Sequence, residues 1–200
     1  MRFLPAGHNG LLVELDSQAA VRALYAELRR RAPPGVTEIV PAARTVLLIG
    51  SGLDALKAEL PGWSLPPVPE DSGPLIEIPV RYDGPDLTEV AALSGLPVTE
   101  VIRLHSTATF TVAFCGFVPG FAYLTGLPAA LQLPRRRQPR TRVAPGSVGI
   151  AGEYSAIYPR ATPGGWQLIG HTDVNVWDAA RQPPALLMPG TRVRFVAQPA

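Results

Sequence analysis

The chain has 200 residues, of which 46% are apolar and 17% charged, with a formal net charge of +2. That profile excludes a disordered acidic or basic tail, and the length provides one large domain or two small ones. Pro at 23 and Gly at 19 predict many turns and short elements in place of long helices.

Leu11 to Leu15 is an apolar run behind the turn-like Gly7-His8-Asn9-Gly10, and it predicts a strand. Asp16 or Ser17 then caps a helix whose stripe is Val21, Leu24, Tyr25 and Leu28, at i, i+3, i+4 and i+7. Arg29, Arg30 and Arg31 fall in its last turn, where cations suit the helix dipole, and Pro33-Pro34-Gly35 stops it. Val36–Val40 and Thr45–Ile49 predict two strands. Ser51 caps a second helix carrying Leu53, Leu56 and Leu60. The order strand, helix, strand, strand, helix predicts a small α/β domain of ferredoxin-like type over residues 1–75. Pro61, Pro66, Pro67, Pro69 and Pro74 mark the linker that follows it.

Leu75–Val80 reads as a strand and 86–106 as two short helices parted by Gly95. Beyond Thr107 the residues alternate, with Phe110, Val112 and Phe114 assigned to one face. Short strands and turns run to a last strand at Arg192–Val196. Residues 76–200 are therefore expected to form a mostly β domain, a barrel or a sandwich. No run approaches the length of a membrane span, and the N-terminus carries no signal-peptide pattern. One cysteine, Cys115, excludes an intrachain disulfide. A cytoplasmic location is expected.

Several patterns carry candidate chemistry. Gly50-Ser51-Gly52-Leu53-Asp54-Ala55, with Glu70 and Asp71 about 20 residues on, fits a dinucleotide fingerprint, although a turn and helix start is the simpler reading. Residues 86–106 have helix-turn-helix spacing, but Glu100 at the second helix start opposes phosphate, which favours a packed hairpin and no nucleic acid. His105 continues the stripe Val98, Val101, Ile102. It is either a core histidine or a general acid/base. The loops at 116–121 and 146–149 can present amide N–H groups to an anion, or serve as ordinary turns. Arg135, Arg136, Arg137, Arg140 and Arg142 are the densest charge cluster, a solvated loop or an anion clamp. Three scattered histidines and one cysteine predict no metal site. The single lysine, Lys57, lies between Leu56 and Ala58, so no biotin-attachment Met-Lys pair is present.

Taken in order, these segments form one signature: GFVPGFAYL at 116–124, Pro134-Arg135 and Pro139-Arg140, PGSVGIAG at 145–152, Tyr158-Pro159, and PGGWQLIG at 163–170. It closely resembles the family of the bacterial 5-oxoprolinase B subunit, also called allophanate hydrolase subunit 1 or KipI-type. The likeness is strongest from Tyr82 to Phe195. It departs from the family at three places: Glu153-Tyr154-Ser155-Ala156 stands for a Gly-Gln-Thr-Gly-like stretch, His171 for Arg or Gln, and Gly7-His8-Asn9-Gly10 for Gly-Asp-x-Ala.

The resemblance implies a small α/β domain followed by a cyclophilin-like β-barrel. It implies a cyclophilin-like partner (the C subunit, or allophanate hydrolase subunit 2) and a separate lactam-opening A subunit. The assembled enzyme would convert 5-oxo-L-proline to L-glutamate with hydrolysis of ATP, bound with Mg on the complex. The other readings are a histidine-kinase inhibitor and one component of an allophanate or urea-type amidolyase. His105 and Arg140 are expected as catalytic residues. Gly116, Phe117, Pro119, Gly120, Phe121, Gly146, Ser147, Gly149, Tyr158 and Gln167 are expected to line the substrate and phosphate site.

Overall fold

The computed structural model describes residues 1–69 and 73–199. The chain divides into two compact units, Met1–Ser72 and Gly73–Ala200.

The first unit runs β1 (Arg2–Ala6), β2 (Gly10–Glu14), α1 (Gln18–Arg31), β3 (Val36–Pro41), β4 (Thr45–Gly50) and α2 (Leu53–Glu59), closed by a 3-10 turn. Its antiparallel sheet has the order β1-β2-β4-β3. Strand pairing sets Leu11 against Leu48 and Val13 against Val46, so one sheet face is apolar. That face packs on Val21, Leu24 and Leu28 of α1, which have no exposed surface. Ser17 is the α1 cap, its hydroxyl accepting from Ala20 N at 3.1 Å. The Arg30 and Arg31 guanidiniums hold the Glu27 carboxyl down to about 2. Two details differ from the sequence expectation. The residue pattern predicts no strand at β1, because Pro5 interrupts it; an edge strand tolerates the proline, since the missing N–H faces no partner. Gly52, not Ser51, is the cap residue of α2, and no side-chain cap bond forms; the Ser51 amide closes a turn onto Gly35 O at 2.9 Å.

The second unit runs β5 (Leu75–Val80), α3 (Leu87–Ser94), α4 (Val98–Thr107), β6 (Phe110–Cys115), β7 (Ala122–Thr125), β8 (Arg140–Val143), β9 (Ser147–Ala151), β10 (Tyr154–Ile157), β11 (Thr162–Gly164), β12 (Gln167–His171) and β13 (Arg192–Ala197). Seven strands form one sheet in the order β12-β9-β10-β7-β6-β13-β5, while β8 and β11 pair separately. Only the β13–β5 pair is parallel. The two edges nearly meet. Arg81 N donates to His171 O at 2.9 Å and His171 N to Arg81 O at 2.8 Å; Gly84 N and Asp86 N continue the seam onto Ile169 O and Leu168 O. The result is a mixed α+β unit built on a barrel-like sheet.

The barrel interior is filled by Phe110, Val112, Leu124, Ile150, Val193 and Phe195, with Val90 of α3 and Val101 of α4 against them. The helices pack as a hairpin through Gly95, whose φ of 70° suits a residue without a Cβ. Arg103 is taken by Glu100 at 2.6 Å, so this pair offers no free cation for a nucleic-acid phosphate. Phe114 does not share a face with Phe110 and Val112. The register shifts between Val112 and Phe114, a bulge that turns Phe114 to the opposite side, where it stacks on Tyr123 at 4.4 Å.

Phe110 meets Phe195 edge-on at 5.3 Å and is fully buried. Phe110→Ala is expected to lower the stability of the second unit by about 3–5 kcal/mol, read as a lower denaturant midpoint. An unchanged midpoint would contradict this account of the core.

Candidate functional site

Asp86 stands at the N-cap of α3, yet its side chain makes no cap bond. The carboxylate turns instead to the barrel seam. Oδ2 accepts from Leu168 N at 2.7 Å, while Oδ1 accepts from Arg136 Nη1 and Arg140 Nη2, each at 2.6 Å. Asp86 is 2% exposed, so these charge-assisted bonds are what make the buried charge tolerable. Arg136 also reaches Glu89 Oε2 at 2.7 Å, one turn along α3, and its own amide donates to Gly165 O at 2.7 Å. Arg136 Nε and Arg140 Nη1 are buried without a hydrogen-bond partner.

Tyr158 organises the adjoining aromatic cluster. Its amide donates to Ser147 O at 2.9 Å and its carbonyl accepts from Gly146 N at 2.7 Å, which ties it to the 146–149 turn. Phe121 meets its ring edge-on at 5.2 Å, and Trp166 meets Phe121 at 5.5 Å. Gly164 lies over the same ring: a Cβ there would come within 2.5 Å of the Tyr158 hydroxyl. Burial raises the Tyr158 pKa, against the opposing pull of a backbone hydrogen bond from Trp166 and, less, of Arg135 and Arg140. Segments distant in sequence (116–121, 146–149, 158 and 163–166) therefore converge on one tyrosine, and Arg140 pairs in register with Gly164 over its ring.

The structure gathers some of the expected site residues here and not others. Phe121, Tyr158 and Arg140 belong to this region, together with Gly146 and Ser147. Phe117 sits at the rim, 59% exposed with φ of 70°, edge-on to Phe121 at 5.4 Å. Pro119 is exposed and Gly120 buried, with no room for a Cβ beside Trp177. The turns engage their own amides. Gly116 N bonds Phe121 O, Val118 N bonds Gly116 O, Phe121 N bonds Val118 O, and Ser147 N bonds Ala144 O. Those N–H groups are not available to cradle a phosphate. Gly149 lies within the sheet, between Ala156 and Leu168. Gln167 is 2% exposed, paired in register with Ile150, and its Oε1 has no partner.

His105 lies elsewhere, inside the barrel, with no exposed surface. Its Nδ1 is 2.8 Å from Tyr82 Oη and its Nε2 2.9 Å from Ser155 Oγ, and the ring stacks on Phe195 at 4.6 Å. Ser155 Oγ also donates to Gly149 O at 3.3 Å, so it is free to accept from Nε2–H while Tyr82 donates to Nδ1. Burial pulls the His105 pKa down to about 3, and the ring is neutral. His105 and Arg140 thus sit in separate hydrogen-bond clusters. Ser155, in the stretch that departs from the resembled pattern, gives its hydroxyl to His105.

The other departures both line cavities. His8 and Asn9 border an open cleft of ≈ 570 Å³ with Ser51, Asp54 and Lys57. His171 borders one of ≈ 490 Å³ with Arg81 and Asp173, its Nε2 lying 3.3 Å from Asp173 Oδ1. The dinucleotide pattern falls on a strand antiparallel to both neighbours, which is not the parallel setting that chemistry needs, and Glu70 and Asp71 lie outside the described residues. Among the described residues, no group of three or more His, Cys, Asp or Glu is placed to hold a metal ion, and no helix is long and apolar enough to cross a membrane. Asp86 is the member that sequence reasoning missed, and Arg136 stands out in the sequence only as part of the arginine cluster. An acid before a helix reads as a cap, and nothing in its spacing tells that the carboxylate will face two arginines 50 residues away.

The fold of this chain has known counterparts. Residues 1–187 match the carboxyltransferase domain, subdomain C and D, and the chain belongs to that family. Within it, the chain is 46% identical over 173 residues to the 5-oxoprolinase B subunit of Escherichia coli O157:H7, covering 82% of this chain and 79% of that protein. The crystal structure of TTHA0988 superposes with a TM-score of 0.80 and 38% identity over 96% of this chain, which spans 40% of that longer one. Kluyveromyces lactis urea carboxylase shares the fold, with a TM-score of 0.74 at 22% identity over 98% of this chain and 22% of its own.

Two outcomes are expected. Asp86→Ala strands two guanidiniums and the Leu168 N–H, so it should destabilise the protein by about 3–5 kcal/mol, and Asp86→Asn, which still accepts from Leu168 N, should recover part of that. Chemical denaturation of both variants measures it; equal midpoints for wild type and Asp86→Ala would refute it. His105 is neutral when folded, with its pKa at about 3 against 6.5 for an ordinary histidine. Its contribution to stability is present above about 6.5 and drains away as pH falls toward 3, because the unfolded chain takes the proton first. Denaturation midpoints between about pH 6.5 and 4 should fall less steeply in His105→Gln than in wild type.

Proposed function

We propose that this chain is one component of a heteromeric, ATP-dependent 5-oxoprolinase that converts 5-oxo-L-proline to L-glutamate. One observation carries the reading: the 46% identity to the 5-oxoprolinase B subunit over 79% of that protein. The chemistry explains why ATP is consumed. A five-membered lactam is an unstrained amide and a poor electrophile. Transfer of the γ-phosphoryl group to the lactam oxygen releases ADP and leaves a phosphorylated carbon–nitrogen unit that water can attack. Loss of phosphate and opening of the ring then give glutamate.

In this reading the region around Arg140, backed by the buried rings of Phe121, Tyr158 and Trp166, meets the substrate. Its aromatic rings exclude water and its guanidinium supplies positive charge where oxygen becomes anionic. The 116–121 and 146–149 turns shape that region with their side chains and backbone bends, and the amides of Gly116, Val118, Phe121, Gly146 and Ser147 are already engaged. Gln167 and the His105 cluster support it from the barrel side. ATP and its Mg are assigned to the assembled complex, with a cyclophilin-like C subunit and a lactam-opening A subunit as partners in the cytoplasm. The fold names follow the same reading. The second unit is a cyclophilin-like barrel, and the first is ferredoxin-like with β1 taking the place of that fold's last strand.

Glutamate release from 5-oxoproline and ATP tests the proposal, with this chain alone and then with both partner proteins. Turnover is expected only in the full mixture, and Arg140→Ala should lower kcat/KM about a hundredfold while the complex still assembles. A well-folded, assembled complex that releases no glutamate would overturn it.

A further inference from the structure

We infer that Arg140 and Arg136, held by Asp86, form a carboxylate-binding subsite on this chain. The inference rests on the lactam reading above for the identity of the ligand, not for the existence of the site.

Charge sets the chemistry. Asp86 Oδ1 is shared by both guanidiniums at 2.6 Å, and Oδ2 is already taken by Leu168 N. Two positive charges thus face one buried negative charge. Glu89 adds a partial counterweight to Arg136 alone, and its side chain is 50% exposed, where water weakens the pairing. Arg140 forms no ion pair beyond Asp86 among the described residues. Its Nη1 and the Nε of Arg136 have no partner, although each guanidinium side chain is only 26% exposed. Buried donors left unpaired are rare in folded proteins and call for an acceptor.

Geometry narrows the ligand. Asp86 locks both forks, so neither arginine must be ordered when an anion arrives. With Glu89 the formal charges balance, two against two, so the open N–H groups are what a ligand would meet. A planar carboxylate also matches the guanidinium fork. Arg140 pairs in register with Gly164, whose backbone lies over the buried Tyr158 ring. The ligand class is therefore a small carboxylate. In 5-oxoproline the subsite would take the carboxylate and leave the lactam carbonyl to the reacting groups. Asp86 and Arg136 act as positioning residues for Arg140.

Calorimetric titration of the full-length chain tests this with three probes: 5-oxoproline, the carboxylate-free 2-pyrrolidinone, and inorganic phosphate. The expected result is binding of 5-oxoproline, with 2-pyrrolidinone weaker by about tenfold or more, as loss of one charge-assisted pair predicts. Arg140→Gln and Arg136→Gln should each weaken 5-oxoproline binding at a temperature where both variants are folded, with a lowered thermal midpoint because Asp86 loses a partner. If Arg140→Gln fails to fold, Arg140→Lys keeps the charge, removes the fork, and should still weaken binding. No binding of 5-oxoproline, equal binding of 2-pyrrolidinone, phosphate binding alone, or full affinity in folded variants would each overturn the subsite. Turnover is scored separately. Glutamate release by the complex with an unaltered KM in Arg140→Gln sinks the subsite and leaves the 5-oxoprolinase reading intact. Arginine-dependent binding without turnover by an assembled complex does the reverse.

Discussion

The buried carboxylate of Asp86 is the contact on which the second unit's architecture turns. Its own amide bonds Leu168 O and its carboxylate takes Leu168 N, so one residue supplies both halves of a strand-like pairing where no regular strand exists. That pairing seals the seam opened by the edges of β5 and β12. The same carboxylate draws in Arg136 and Arg140, which come from a proline-rich stretch with little regular structure of its own. Without the negative charge the seam would lose a partner and the arginines would repel one another. Closing the barrel and building the site are a single electrostatic event.

The aromatic cluster depends on backbone placement more than on charge. Tyr158 is anchored through both its amide and its carbonyl to the 146–149 turn, and Gly164 leaves space for its ring. The glycine-rich motifs consequently act as spacers. They set rings and guanidiniums at fixed separations, and several of their amides close bonds within the turns. His105 does comparable work inside the barrel, where its two nitrogens tie α4 to Tyr82 and to β10.

Much of this was legible in the residues. Apolar periodicity placed α1, the α3–α4 hairpin and β5, because each buries one regular stripe. The ordered run of Gly-, Pro- and Arg-containing motifs pointed to the family and to Phe121, Tyr158 and Arg140. What stayed hidden has physical causes. A period-two pattern cannot reveal the bulge that turns Phe114 outward. Pro5 conceals an edge strand whose missing N–H has no consequence. Asp86 looks like a cap, and its real partners are set by tertiary contacts about 50 positions away. His105 carries the residue type of a catalyst, yet whether its nitrogens face solvent or Ser155 is decided by strands that its local sequence does not describe.

The parallel pairing of β5 with β13 has a consequence for how such a unit can be joined to others. Leu75 lies opposite Arg192 and Val80 opposite Ala197, so the two strands travel together for their whole length, roughly 20 Å. The backbone enters the unit at one end of this pair and leaves at the other. Gln198 N already bonds Val80 O at 2.8 Å. A polypeptide continued past this point would start beside Arg81, at the sealed edge of the barrel. Splicing such a unit into a longer chain needs no opening of the sheet, and whatever follows is delivered to the margin where Asp86 gathers its arginines.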